Sequence, residues 1–125
     1  MFPENLKYTD THEWVRIEEN IAVIGITDYA QHQLGDIVYV DLPETDTEIE
    51  KGDAVINLEA VKAVEDVYSP LSGTIIEVNE ALQDTPELIN QEPYDGGWII
   101  KIEMSNADEA EELMGAQAYE NSIED

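Results

Sequence analysis

The sequence predicts a mainly β protein, and two observations carry that reading. Six short segments, 14–18, 21–26, 37–42, 54–61, 74–78 and 98–102, are rich in Ile, Val and aromatic residues, the composition of strands. Turn-forming residues separate many of them, among these Glu19-Asn20, Gly52-Asp53, Ser72-Gly73 and Asp95-Gly96-Gly97, at intervals that suit a small antiparallel sandwich or barrel. A chain of 125 residues is sized for one domain. We read it as a single unit over 1–125, with a core over about 6–103 and an acidic helix and tail over about 105–125.

Two segments depart from the strand pattern. In Thr27–Leu34, Thr27 or Asp28 stands where it caps a short internal helix that Gly35 closes. Further on, Ser105 or Asn106 precedes Ala107-Asp108-Glu109-Ala110-Glu111-Glu112-Leu113-Met114, whose early acids favour the amino end of a helix. A C-terminal helix is expected there, with the last few residues fraying in solvent.

Composition excludes several classes of function. The chain has 30 acidic residues against 5 Lys and Arg, a formal net charge of −25. Such a surface repels phosphate backbones and anionic membranes, so no nucleic acid and no membrane is expected, and partners should present basic surfaces. There is no cysteine, hence no disulfide, no thiolate nucleophile and no sulfur-held metal; redox chemistry requires an attached group. No apolar run exceeds Ile21–Ile26, far short of the roughly 18 residues of a membrane span. Met1-Phe2-Pro3-Glu4 lacks the basic start of a signal or transit peptide, which points to a cytoplasmic protein. His12 and His32 have no third ligand nearby, so both read as structural and no metal is expected. Trp14 and Trp98 read as core anchors, and no hydrolase, kinase or dinucleotide motif supports an enzyme activity of its own.

One stretch stands apart, the near-symmetric Glu59-Ala60-Val61-Lys62-Ala63-Val64-Glu65, centred on one of only 4 lysines. Local propensity allows a helix there: Asn57 would cap it, Val61, Val64 and Tyr68 share a stripe, and Lys62 and Asp66 make an i,i+4 pair. If 54–68 is instead extended, it spans about 50 Å, more than the diameter of about 36 Å expected of the whole chain, so it must fold back. A hairpin cresting at Lys62 sets Ala60 opposite Val64, brings Glu59 near Glu65 and pushes the amine into water.

Six blocks carry specific patterns in order: Gly25-Ile26-Thr27-Asp28-Tyr29-Ala30-Gln31, Leu34-Gly35-Asp36-Ile37-Val38, Glu59-Ala60-Val61-Lys62-Ala63, Ser69-Pro70-Leu71-Ser72-Gly73, Glu77-Val78-Asn79-Glu80-Ala81-Leu82 and Pro86-Glu87-Leu88-Ile89-Asn90 before Pro93-Tyr94. Flanking these are His12-Glu13-Trp14-Val15 and Ala116-Gln117-Ala118-Tyr119. On these residues the chain resembles the H proteins of the glycine cleavage system along nearly its whole length. Departures are Ala60 where the family usually has Ser, Asp95 where it has Gly, and Thr45-Asp46 in place of a Gly-containing turn.

The resemblance implies a lipoyl/biotinyl-domain-like sandwich of two small antiparallel sheets, with Lys62 at a hairpin tip carrying lipoate in amide linkage. It implies a carrier rather than an enzyme, moving the aminomethyl group of glycine from the P protein (glycine decarboxylase) to the T protein (aminomethyltransferase) and reoxidised by the L protein (dihydrolipoyl dehydrogenase). The lipoyl arm reaches about 14 Å, enough to visit separate active sites. The resemblance further nominates Glu59 for recognition by a lipoate ligase or lipoyl transferase, and Glu13 with Asp66 across from it for docking of the arm. It implies a monomer in the cytoplasm, or in the mitochondrial matrix for a mature eukaryotic form. Three rivals stand beside it: an H-like relay donating lipoyl to 2-oxoacid dehydrogenases, an acidic interaction module with Lys62 bare, and a biotin carrier. The last usually flanks its lysine with methionines, where Val61 and Ala63 stand here.

Overall fold

The apolar run Ile21–Ile26 puts large side chains on both faces of one strand, and the architecture follows from covering both. The computed structural model describes residues 3–123. In chain order the elements are β1 (Lys7–Tyr8), β2 (Glu13–Glu18), β3 (Ile21–Ile26), α1 (Asp28–Leu34), β4 (Ile37–Asp41), β5 (Glu48–Ile49) and β6 (Ala54–Ala60). They continue with β7 (Val64–Tyr68), β8 (Gly73–Val78), α2 (Ala81–Asp84), α3 (Leu88–Gln91), β9 (Ile100–Met104) and α4 (Ala116–Ile123). The strands form two antiparallel sheets, one of six in the order β1-β2-β3-β9-β8-β5 and one of three in the order β4-β6-β7. The expected sandwich is the observed fold.

Between the sheets, Val15, Ile24, Ile75 and Ile102 of the larger pack with Ile37, Val40, Leu58 and Val67 of the smaller in one buried cluster. The opposite face of the larger sheet is covered as well. There Trp14 and Val23 lie in a second cluster with Leu6, Tyr8 and Tyr119. Tyr8, Trp14 and Tyr119 are fully buried, each removing roughly 4–6 kcal/mol worth of surface from water before the entropy of ordering it is counted. The Trp14 indole N–H donates to the Pro93 carbonyl at 2.7 Å. Trp98, by contrast, is only half-buried, with the Lys101 ammonium 5.0 Å from its ring centroid; it caps this second layer rather than anchoring a core.

The C-terminal segment differs from expectation. In place of one continuous helix there is a 3-10 turn over Ala107–Glu112, capped by the Asn106 side chain, and then the separate helix α4. Asp108, Glu111 and Glu112 would repel one another at helical spacing. Met114 instead runs extended and exchanges two backbone hydrogen bonds with Tyr8, at 2.8 and 2.9 Å. The expected fraying falls partly on Glu124 and Asp125, which lie outside the described residues. In the loop before β5, Asp46 takes φ +68, a conformation Asp accepts more readily than most residues, and donates its N–H to Ile75 O at 2.7 Å. No helix among the described residues is long and apolar enough to cross a membrane.

Candidate functional site

Strands β6 and β7 fold back on each other around Lys62, so the extended reading holds and the helical one fails. The register pairs Asn57 with Asp66, Leu58 with Glu65 and Glu59 with Val64, and Ala60 N–H donates to Ala63 O at 2.8 Å. The turn is therefore the two residues Val61-Lys62, one position off the expected pairing of Ala60 with Val64. The tighter closure leaves the Val61 N–H free to donate to Asp36 O at 3.0 Å, next to β4. A shift of one residue changes faces. Glu65 pairs with buried Leu58, whereas Glu59 pairs with exposed Val64, so the two glutamates are not neighbours as expected.

Lys62 is exposed and takes no part in the ion pairs found among the described residues, which join Arg16 to Glu18, Lys51 to Glu112, Lys101 to Glu77 and His32 to Asp28. Its aliphatic stem lies over Gly35: a Cβ added there would meet Lys62 Cγ, Cδ and Cε at 3.2 Å. Gly35 ends α1 at φ +81, ψ −160, a region essentially reserved for glycine. Asn90, from α3, holds this turn. It donates to Gln31 Oε1 and to Gly35 O and accepts from the Ile37 N–H, each at 2.9 Å.

Alongside runs a groove of about 210 Å³, with Ile26, Leu34, Leu58 and Val67 among its apolar walls and His12 and Glu13 among its polar ones. Asp66 and Glu65 border it as well, so Glu13 and Asp66 do meet on one groove. Asp66 is exposed, and one of its oxygens accepts from Asn57 Nδ2 at 2.9 Å. Glu13 is only 2 % exposed. One oxygen accepts from the hydroxyls of Thr9 and Thr11 at 2.6 and 2.5 Å, and the other faces the Tyr68 N–H at 3.4 Å. Burial pushes the Glu13 carboxyl above the ordinary glutamate range, and those hydrogen bonds offset part of the rise. Burial lowers the His12 imidazole, whose Nδ1 lies 2.8 Å from the Tyr119 hydroxyl.

These residues fit a lipoyl group. The volume is below the roughly 300 Å³ at which ordinary ligand pockets begin, which suits a slim aliphatic arm laid along the groove rather than a globular ligand. The apolar walls match its hydrocarbon, and the amine that would bear it projects from the neighbouring turn. The chain matches the family model described as glycine cleavage H-protein over residues 6–125. It belongs to that family. The glycine cleavage system H protein of Staphylococcus epidermidis (strain ATCC 35984) is 52% identical over 121 residues, covering 97% of this chain and 96% of that relative. That of Synechococcus sp. (strain JA-3-3Ab) is 53% identical over 123 residues, covering 98% and 95%. The crystal structure of the glycine cleavage system H protein from Mycobacterium marinum superposes with a TM-score of 0.89 at 34% identity, covering 96% of this chain and 97% of that one.

As an H protein the chain is a lipoyl-carrying shuttle of glycine cleavage. The sequence singles out Lys62 without the residues that surround it. Gly35 was read only as the end of α1 and Asn90 only as part of a matched block, and Thr9 and Thr11 carried no signal until the fold brought their hydroxyls to Glu13.

Proposed function

We propose that Lys62 Nζ is the atom that bears lipoate, as an amide, and that the whole chain acts as a single carrier domain. The observation that carries this reading is an exposed amine that joins no ion pair among the described residues, on a two-residue turn, its stem resting beside the groove. Lys62 must lose a proton before its nitrogen can attack an activated carboxyl, and exposure to water permits that exchange. Attachment removes one of 5 basic charges. Glu59, on the outer face of the hairpin, is where a lipoate ligase or lipoyl transferase would read the tip.

When bound, lipoate supplies a disulfide that is reduced as it takes up the aminomethyl unit of glycine and is reoxidised afterwards. The protein's part is positional. Leu34, Leu58 and Val67 shelter hydrocarbon, and Glu13 and Asp66 offer carboxylates to a cationic amine at the end of the arm. Partners in this reading are the P, T and L proteins, which the chain serves as a substrate rather than as an enzyme. Its strong self-repulsion favours a monomer, and the bacterial relatives agree with a cytoplasmic setting.

The test is intact mass and peptide mapping after incubation with a lipoate ligase, lipoate and ATP. One lipoyl adduct on Lys62 is expected, and none on Lys62→Arg, since Arg keeps the charge but offers no nucleophilic amine. An adduct that persists in Lys62→Arg would sink the assignment.

A further inference from the structure

The C-terminal helix α4 reaches the frame of the groove through one side chain. Tyr119 is fully buried, and its hydroxyl lies 2.8 Å from His12 Nδ1 and 2.8 Å from Thr27 Oγ1. Both partners belong to the groove's frame. His12 lines it directly, and Thr27 caps α1, which supplies Tyr29, Ala30, Gln33 and Leu34 to one wall. The same two residues are joined along the backbone, Thr27 N–H donating to His12 O at 3.0 Å. His12 needs such support: it holds a left-handed φ of 72, uncommon for a residue with a Cβ, and its ring is packed on Tyr29 at 4.8 Å and edge-on to Tyr119 at 5.7 Å. The Thr27 hydroxyl already accepts from the Ala30 N–H, so one phenol oxygen completes the cap of the wall helix and fixes the imidazole opposite it.

We propose that Tyr119 is a positioning residue for the arm groove, a latch by which the C-terminal helix holds His12 and the start of α1 in the geometry that receives the lipoyl arm. This rests on the reading of the groove as the arm's resting place. The latch explains why α4 is tied to β1 rather than trailing: stacking of Tyr119 on Tyr8, with centroids 4.9 Å apart, aims the hydroxyl at both partners.

The experiment uses the full chain, 15N-labelled, bare and lipoylated by a ligase, as wild type, Tyr119→Phe and His12→Gly. In wild type, lipoylation is expected to shift the amide signals of Ala30, Gln33, Leu34 and Val67. In Tyr119→Phe those shifts should fall at least two-fold, the His12 ring nitrogens of the bare protein should change their tautomer pattern, and the signals of β8 and β9 should stay in place. His12→Gly tolerates the left-handed backbone and has no side chain to meet the phenol, and it should lose the same shifts. If Tyr119→Phe does not fold, His12→Gly decides alone, retained shifts overturning the latch. Unchanged ring nitrogens together with unchanged lipoylation shifts overturn the latch, as does a lower melting temperature with nothing altered in the groove. If lipoylation shifts no groove signal in wild type, the groove reading fails by itself, and a His12 pattern that is the same with and without the phenol oxygen in bare protein then overturns the latch separately.

Discussion

At Glu13 desolvation and hydrogen bonding oppose each other, and desolvation is the larger, so the folded protein holds that proton more tightly than the unfolded chain does. A carboxyl raised in the folded state contributes most stability below its unfolded value, about pH 4.3, and that contribution is lost as pH rises through the folded value. Glu13→Gln cannot ionise and keeps an oxygen for Thr9 and Thr11. The melting temperature of Glu13→Gln should therefore gain on that of wild type as pH rises from about 4 to about 7, a difference that cancels the titration of the other acids. A gap that stays flat or narrows would show that the threonine hydroxyls outweigh burial. Asn90 makes a different case, three hydrogen bonds to one turn. Asn90→Ala leaves those groups unpaired and should lower the free energy of unfolding by about 1–3 kcal/mol, read from the urea midpoint at unchanged slope. Neither role was legible in the sequence: Asn90 takes its partners from another segment, and the two threonines just before Glu13 show no pattern until the backbone turns them to its carboxyl; Lys62 stood out because its neighbours form a matched block.

Among the elements, α1 was readable almost to the residue: Thr27 caps it and Gly35 ends it, both by local rules that need nothing from the rest of the chain. The β6–β7 hairpin was not, since its sequence also satisfies a helix and carries no Gly, Asn or Pro at the turn. What decides is tertiary, the pairing of β6 with β4 and the bond from Val61 to Asp36 O. The same Gly35 that ends α1 seats Lys62, which gives the two functions one test. Gly35→Ala should cost about 1–3 kcal/mol in backbone strain and also slow attachment of lipoate, because its Cβ displaces the lysine stem. Gly52 shares a positive φ, +95, but has open space around it. Gly52→Ala should lose stability and leave the ligase kcat/KM unchanged. Equal effects of the two variants on kcat/KM would mean that the seat under Lys62 does not matter.

Over the molecule as a whole, 30 acids dominate, and a carrier that must dock and leave quickly gains from long-range attraction more than from tight contact. Raising ionic strength from about 0.15 M to about 1 M shortens the screening length from about 8 Å to about 3 Å. The KM of the P protein for this chain should rise with salt while kcat changes less; a flat KM, with the partner folded and active, leaves solubility as the role of the charge. The overall class was legible from the Ile and Val segments and their turns. The second apolar layer was not, because Leu6, Tyr8, Trp14 and Tyr119 are scattered from one end of the chain to the other.

The placing of β9 between β3 and β8 also fixes an order of events at birth. Strand β3 emerges early, yet its neighbour on one side is made roughly 80 residues later. At about 5–20 residues per second of synthesis, the nascent chain carries the edge of Ile21–Ile26 unpaired for roughly 4–16 s. An apolar strand edge left open for that long is a template for aggregation. Within Lys51–Met104, acids outnumber bases, so chains emerging side by side repel each other throughout that interval. The acidic composition then guards the unfinished sheet before any partner enzyme is met.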